Sequence, residues 1–371
     1  MRILMLLHDA YGGRRGIAKY NRDFIEACCN HPAIEQVIVL PRRIAEPVAG
    51  VPERCAFRIA SAGGSAAYAR ELLGVLTPWP NYDLVVCGHI NLLPPACLAA
   101  FLSHAPLALI MHGIEAWQPA RRALSNRLVG RIDRFLAVSE VTRERFAAWS
   151  GVGADRIDLL PNCIDLRRFA RGPARSDLLA RYGLAGRRVL LTLGGLAASE
   201  RYKGIDEVLE VLPQLAQAMP AVAYLVAGDG DDRARLEAKA AALGVADRVV
   251  FAGYVAEEEK ADHYRLADAF AMPSRGEGFG IVFLEAMACG VPVLGGLLDG
   301  GREAVRCSGE LGVLCDPRDP DDVLRGLHEL LGRPKGIVPA GLAEYSAERF
   351  AQRVHRWLHG YAAAEPVRRS A

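Results

Sequence analysis

Short β-rich apolar runs alternate with helix-length amphipathic segments along nearly the whole chain, and a chain so patterned folds into parallel sheets flanked by helices. The alternation runs through twice. In the first half the strand candidates are Ile3 to Leu7, Gln36 to Leu40, Asp83 to Cys87, Leu107 to Met111, Arg134 to Val138 and Ile157 to Leu160, with helices such as Ile17 to Cys29 and Val141 to Trp149 between them. The pattern restarts at Val189 to Leu193 and continues through Ala223 to Ala227, Val249 to Ala252, Ala269 to Met272, Val291 to Leu294 and Gly312 to Cys315. The seam lies between about Asp165 and Arg187, giving an α/β domain over residues 1–166 and a second over 167–345. A length of 371 residues agrees, since it exceeds what one core fills and suits two domains of roughly 150 to 200 residues. From Ser346 to Ala363, Phe350, Val354, Trp357, Leu358 and Tyr361 recur at helical spacing, which predicts an amphipathic docking helix within residues 346–371. Periodicity does not say which domain receives it.

A formal net charge of +2 gives no global reason to expect nucleic acid as a partner. The basic surface is local: Arg121, Arg122, Arg127, Arg131, Arg134, Arg143 and Arg145 outnumber Asp133, Glu140 and Glu144. That stretch is either a solvated helix face or a contact for an anionic membrane surface or phospholipid-linked acceptor. Nine cysteines, an odd number without a C-x-x-C pair, fit reduced thiols better than a disulfide framework or a zinc site. The apolar stretch within Met1 to Asp9 is too short for a signal peptide and reads as a strand. Leu92 to Met111 is broken by Pro94, Pro95, Ser103, His104 and Pro106, so it reads as helix plus strand rather than a membrane span. The expectation is a cytoplasmic protein, peripheral to the inner face of the membrane if it meets one.

In open α/β sheets ligands bind beyond the carboxyl ends of the strands, and two such edges facing each other make a cleft. Beyond the first-half strands come Gly12, Gly13, His89, His112, Ser139 and Asn162; beyond the second-half strands come Gly194, Gly195, Gly228, Tyr254, Ser274 and Gly295. The strongest signal is the stretch Ser274-Arg275-Gly276-Glu277-Gly278-Phe279-Gly280, followed by a helix that contains Glu285 and is closed by Gly290 and Pro292. Its glycines let backbone N–H groups approach a ligand, and the helix N-terminus adds partial positive charge. Two carboxylates so placed can each grip a vicinal diol, one on a sugar and one on a ribose. A second signal is Gly194-Gly195 followed by Arg201 and Lys203-Gly204, between a strand and a helix. Cations there favour a transition state in which a diphosphate leaving group gathers charge. Only five of the 45 basic residues are lysines, so a lysine at this point is not the default.

The first-half turn Tyr11-Gly12-Gly13-Arg14-Arg15-Gly16 follows a strand and starts a helix, suiting phosphate or sugar, although it is not a strict G-x-G-x-x-G. His112 either donates to a sugar hydroxyl or caps the strand end, and His89 reads as structural. Asp229-Gly230-Asp231-Asp232 reads as a turn and a helix entered at Asp231, whose acids favour that end, rather than as a metal site.

These residues resemble the family 4 retaining glycosyltransferases of the GT-B fold, in which two Rossmann-like domains face across a cleft. The match spans nearly the whole chain and is most specific from about Leu190 to Glu303. Glu277 and Glu285 match the family's E-x7-E motif, so Glu277 and the backbone of Gly278, Phe279 and Gly280 are implied to hold sugar hydroxyls and Glu285 the ribose. Lys203 matches the diphosphate lysine, Gly253-Tyr254-Val255 the segment beside the base, Gly12 and Gly13 the first-domain glycine loop, and His112 the sugar-facing histidine. Pro161-Asn162-Cys163-Ile164-Asp165 and Gly300-Gly301-x-Glu303 resemble two further segments, and the terminal helix is implied to cross back to the first domain. Gly195 departs from the family, which places a phosphate-binding arginine after Gly194; Arg201 is the candidate replacement. Cys163 replaces the usual small residue.

What the resemblance implies is hexosyl transfer from a nucleotide diphosphate sugar to a saccharide or lipid-linked acceptor, with retained configuration, no metal and no cofactor. Catalysis then falls to Glu277, Lys203, Arg201 and His112. A sugar-nucleotide epimerase on the same scaffold, or a noncatalytic sugar-nucleotide-binding protein permitted by Gly195, are the alternatives. A nicotinamide dehydrogenase is disfavoured because the second strand ends in Leu40-Pro41-Arg42 without the ribose-binding acid.

Overall fold

A computed structural model of the chain describes residues 1–13, 15–78 and 80–362. Arg14 of the first glycine turn and residues 363–371 of the terminal segment lie outside the described residues. Two compact units form: Met1–Cys163 together with the segment from Ala347, and Ile164–Ser346.

The first unit runs β1 (Arg2–Leu7), α1 (Gly16–Cys29), β2 (Gln36–Pro41), β3 (Cys55–Phe57), α2 (Ser65–Leu76), β4 (Leu84–Cys87), α3 (Leu93–Ser103), β5 (Leu107–Met111), α4 (Ala123–Leu128), β6 (Arg134–Ala137), α5 (Glu140–Ser150) and β7 (Ile157–Leu159). Its seven strands are all parallel, in the order β3-β2-β1-β4-β5-β6-β7. Strands such as β1 and β5 are buried on both faces, which is why they read as unbroken apolar runs. The three-residue β3 is too short to leave a periodic signal.

The second unit runs α6 (Ser176–Arg181), β8 (Arg188–Leu193), α7 (Ile205–Ala218), β9 (Val222–Ala227), α8 (Arg233–Ala242), β10 (Val249–Gly253), α9 (Lys260–Leu266), β11 (Ala269–Met272), α10 (Ile281–Ala288), β12 (Val293–Gly296), α11 (Gly301–Arg306), β13 (Gly312–Cys315) and α12 (Pro320–Gly332). Its six strands are parallel in the order β10-β9-β8-β11-β12-β13. Helix α7 forms because Val208, Leu209, Leu212 and Leu215 make one buried stripe, and that stripe packs into the core with β9 and α12.

Most strand and helix ends fall within one residue of expectation, whereas the starts of β12 and α8 move by two. β12 spans Val293–Gly296 rather than Val291 to Leu294. Gly290 turns the chain left-handed at φ +77° and the Val291 N–H closes back on the Ala286 carbonyl, so Val291 finishes the helix cap. Gly295 therefore lies inside the strand and not on the rim. α8 starts at Arg233 rather than Asp231, because Asp231 and Asp232 are spent on side-chain bonds to other loops. The last helix, α13 (Ala347–Ala362), buries Phe350, Val354 and Leu358 against the first unit. Phe350 meets the Tyr20 ring at 5.6 Å, Trp357 meets Phe24 at 5.9 Å, and the His355 ring donates to the Ala27 carbonyl at 2.9 Å.

Candidate functional site

In both sheets the strand order reverses beside the first strand, between β1 and β4 and between β8 and β11, and such switch points are where doubly wound sheets bind ligands. In the second unit the two predicted motifs occupy this point. After β8, the Gly194 N–H bonds the Ala227 carbonyl and the Leu196 N–H bonds that of Asp229, tying the loop to its neighbour. Lys203 ends a short 3₁₀ stretch (Ala198–Lys203), and its Nζ donates to Glu200 Oε2 at 3.1 Å in a mostly buried pair. Gly204 must be glycine: φ is +86° and a Cβ there would lie 2.4 Å from the Pro273 carbonyl oxygen. A Cβ on Gly194 would reach within 3.3 Å of Lys203 Nζ, and one on Gly195 within 2.5 Å of Glu200 Oε2. Glu200 thus fills the space that a side chain at position 195 would enter.

Arg201 does not stand free as a replacement cation. Its Nε and Nη2 grip Asp232, with the Nη2 contact at 2.6 Å, and Arg235 takes the same carboxylate and bridges to Asp206. Hydrogen bonds from Arg235, with Arg201 adding to them against burial, bring the Asp232 carboxyl down to about 2. Arg201 is half-exposed and is held as a strut between two loops.

After β11 the chain turns through Ser274 to Gly280 into α10. The Glu277 carboxylate makes no hydrogen bond among the described residues. Burial raises its pKa, Lys203 opposes the rise and Glu200 adds to it, which places Glu277, Lys203 and Glu200 within one electrostatic group. Gly280, at φ +81°, starts α10. Phe279 is buried against Tyr345, with ring centroids 5.4 Å apart, so residues 278–280 can offer a ligand only backbone. Glu285 is buried in α10 and accepts the Tyr264 hydroxyl at 2.7 Å. Tyr254, after β10, is exposed.

One residue that sequence reasoning missed anchors this turn. Asp299 is fully buried; its Oδ2 accepts the Ser274 hydroxyl at 2.7 Å and the Glu277 N–H at 2.8 Å, and its Oδ1 accepts the Gly301 N–H at 2.9 Å. The Gly300 N–H bonds back to the Glu277 carbonyl. Burial pushes the Asp299 carboxyl up to about 7, with the three hydrogen bonds opposing and Glu277 adding to the rise. The only signal in sequence was an acid directly before Gly300-Gly301. The acids of the Asp229 turn are likewise committed: Asp229 to the Gly230 N–H and Asp231 to the Ala198 N–H.

In the first unit, His112 follows β5. Its Nε2 donates to the Gly88 carbonyl at 3.2 Å, its ring meets the edge of Tyr20 at 5.1 Å, and its backbone N–H is taken by Glu115 Oε1. Burial, reinforced by His89, lowers its pKa to about 3, so the imidazole is neutral near pH 7. Glu115, three residues on, was also missed; it accepts the Gly113 N–H as well. His89 accepts the Asn91 N–H and stacks near His8. Gly12, at φ +80°, and Gly13 are required by packing: a Cβ on Gly12 would lie 2.5 Å from the Glu46 carbonyl oxygen and one on Gly13 2.6 Å from Ala18 Cβ. Cys163 hydrogen-bonds Asp23 at 3.3 Å, and Lys19 bonds both Asp23 and the Cys163 carbonyl, so this thiol closes a small polar cluster. All nine cysteines are unpaired.

Two doubly wound units, with a lysine, a glycine-bounded glutamate and helix starts gathered at one switch point, define a sugar-nucleotide glycosyltransferase. Residues 15–168 match the family described as Glycosyltransferase Family 4 and residues 186–349 that described as Glycosyl transferases group 1. The chain is 31% identical over 369 residues to the GDP-mannose-dependent alpha-(1-6)-phosphatidylinositol monomannoside mannosyltransferase of Mycobacterium tuberculosis, covering 92% of each. Its identity to the enzyme of that name from Mycolicibacterium smegmatis is 37%, over 62% of each chain. It therefore belongs to the family 4 glycosyltransferases. Among solved structures, sucrose-phosphate synthase from Thermosynechococcus elongatus superposes with a TM-score of 0.76 at 19% identity, covering 98% of this chain and 100% of that one. The Anabaena protein Alr3699/HepE in complex with UDP-glucose gives 0.74 at 20%, covering 97% and 100%; both likenesses show the fold.

Proposed function

We propose that this glycosyltransferase moves a mannosyl group from GDP-mannose to a lipid-linked acceptor, with retention of anomeric configuration and without a metal. The observation that carries the reading is the meeting of Lys203 with the Asp299-anchored turn of Glu277. A cation stands where a diphosphate would leave, and an unengaged carboxylate stands where sugar hydroxyls would lie. The donor base and sugar rest on the mannosyltransferases to which the chain is similar over 92% of its length.

In this mechanism the bond from the anomeric carbon to the diphosphate breaks on the face where the acceptor hydroxyl attacks. The departing phosphate takes the hydroxyl proton, and the positive charge at the anomeric centre is transient. Lys203 and the N–H groups at the start of α10 stabilise charge that grows on the leaving group, which accelerates the step because that charge is larger in the transition state. Glu277 and the 278–280 backbone hold the sugar, Glu285 the ribose, Tyr254 the base, and neutral His112, whose Nε2–H is given to the Gly88 carbonyl, accepts from a sugar hydroxyl at Nδ1 without adding charge. A lipid-linked acceptor brings the chain to a membrane surface, and the segment Arg121 to Arg145 is the region we assign to it.

Thermal unfolding in the absence of metal tests the donor: GDP and GDP-mannose should raise the midpoint more than UDP, ADP or their sugar conjugates, and Glu277→Ala should reduce the gain from GDP-mannose more than that from GDP. Stabilisation by a uridine conjugate alone would overturn the choice of donor. The noncatalytic alternative is favoured by one contact, the pairing of Lys203 with Glu200 beside Gly195. Binding of GDP-mannose with no product from any lipid acceptor would establish it.

A further inference from the structure

Helix α3 has no charged residue. Leu93, Ala96, Ala99 and Ala100 face the core, yet the outer face is also apolar: Leu98, Phe101 and Leu102, at i, i+3 and i+4, are 46%, 77% and 43% exposed. A surface helix ordinarily turns polar side chains to water. The neighbours continue the stripe, since α2 and α4 both pack against α3 and contribute Leu73 and Leu124, each more than half exposed.

Along α3 and α4 the exposed charge has one sign, and Glu71 of α2 is paired with Arg58. Arg121, Arg122, Arg127 and Arg131 are exposed and make no side-chain hydrogen bond or ion pair among the described residues. Arg131 lies near enough to the thiol of Cys97, the residue before Leu98, to oppose the rise that burial imposes on it. From Leu93 to Ile132 the sole acid is Glu115, which is committed to the N–H groups of His112 and Gly113. The other arginines of the segment are occupied: Arg134 faces Asp158, Arg143 pairs with Glu140, and Arg145 lies 4.1 Å over the Trp117 ring. Exposed apolar side chains in company with unpaired arginines match the boundary between acyl chains and anionic headgroups.

We infer that the outer face of α3, with Leu124 and the arginines 121, 122, 127 and 131, seats this chain on an anionic phospholipid surface. This deepens the lipid-acceptor reading and rests on it, because it names which residues enter the bilayer boundary and which meet headgroups. Phe101 enters deepest. The arginines hold the headgroups beside it, each contributing about fivefold in partitioning.

The test is co-sedimentation of the full chain with vesicles of phosphatidylcholine alone or mixed with phosphatidylglycerol, without donor or acceptor. The chain should bind the mixed vesicles only, and less as salt rises. Replacing the four arginines by Gln should weaken binding by about 600-fold, and Leu98→Ser with Phe101→Ser by about tenfold or more. All positions are exposed, so the unfolding midpoint should stay unchanged. No binding to the mixed vesicles, or equal binding by both variants, would overturn the inference. So would loss of self-association in the serine variant without vesicle binding, which would assign the face to a second copy. Transfer to a water-soluble acceptor analogue reads the reaction separately, so failure here and failure of the enzymatic reading are distinguishable.

Discussion

The two units share one strand order over six strands, yet the loops beyond those strands differ in electrostatics. At β8 and β11 the loops hold a group of ionisable side chains: Lys203 against Glu200, Glu277 beside them, and a buried Asp299 fastening the turn. Beyond β5 in the first unit, His112 turns onto the Gly88 carbonyl and its imidazole stays neutral. The same scaffold therefore carries a lysine–carboxylate group on one rim and a neutral imidazole on the other.

The largest effect that separates the two rims should come from Lys203→Ala. Removing a preorganised charge stabiliser costs on the order of 10²–10³ in turnover, so steady-state kinetics should show kcat falling by that factor. An equal loss from His112→Gln would show that the rims do not divide the work as their charges suggest. Next in size is Asp299→Asn. The amide oxygen can keep the Ser274 hydroxyl and the Glu277 N–H only by turning its NH2 toward the Gly301 N–H, so at least one of the three bonds is lost, the turn loosens and the donor KM should rise about tenfold, the worth of one charge-assisted hydrogen bond. In the unmodified enzyme donor KM should also rise as the pH falls below 7, because protonated Asp299 loses one of the same bonds. The asparagine variant should lack that dependence, and a KM that still rises below pH 7 in the variant would assign it to another group.

Much of this contrast was legible in sequence, and the illegible part has one cause. Gly204 and Gly280, at φ +86° and +81°, lie where backbone conformation leaves little alternative, so local spacing pointed to the loops. What fastens those loops acts at long range. Asp299 reaches Glu277 across 22 positions, and Arg201 meets Asp232 across 31. No periodicity encodes either contact, so Arg201 read as a free cation and Asp299 did not stand out. Glu115 was nearer to view, three residues after His112, but its carboxylate serves backbone N–H groups, a role that leaves no motif. In β12 the helix cap at Gly290 shifted the strand two residues, since apolar Val291 suits a cap as well as a strand.

The smallest effect is the most direct comparison of the two rims, because their buried groups should give stability opposite slopes with pH. For His112 the unfolded chain, with an ordinary histidine pKa of about 6.5, takes up a proton that the folded chain, at about 3, refuses. The stability this residue contributes is whole above 6.5 and drains away as the pH falls toward 3. For Asp299 the folded pKa of about 7 exceeds the unfolded value of about 3.9. Its contribution is whole below about 4 and is lost as the pH rises through 7. Each slope is at most about 1.4 kcal/mol per pH unit, and in the unmodified protein they oppose one another between about pH 4 and 6.5. Denaturant unfolding across that interval should therefore steepen in one direction for His112→Gln and in the other for Asp299→Asn. In His112→Gln the surviving Asp299 term makes stability fall more with rising pH, and in Asp299→Asn the surviving His112 term makes it rise. Slopes that shift in the same direction would mean that one of these two buried groups is solvated in the folded chain, and the assignment of a neutral rim or of a charged one would fail with it.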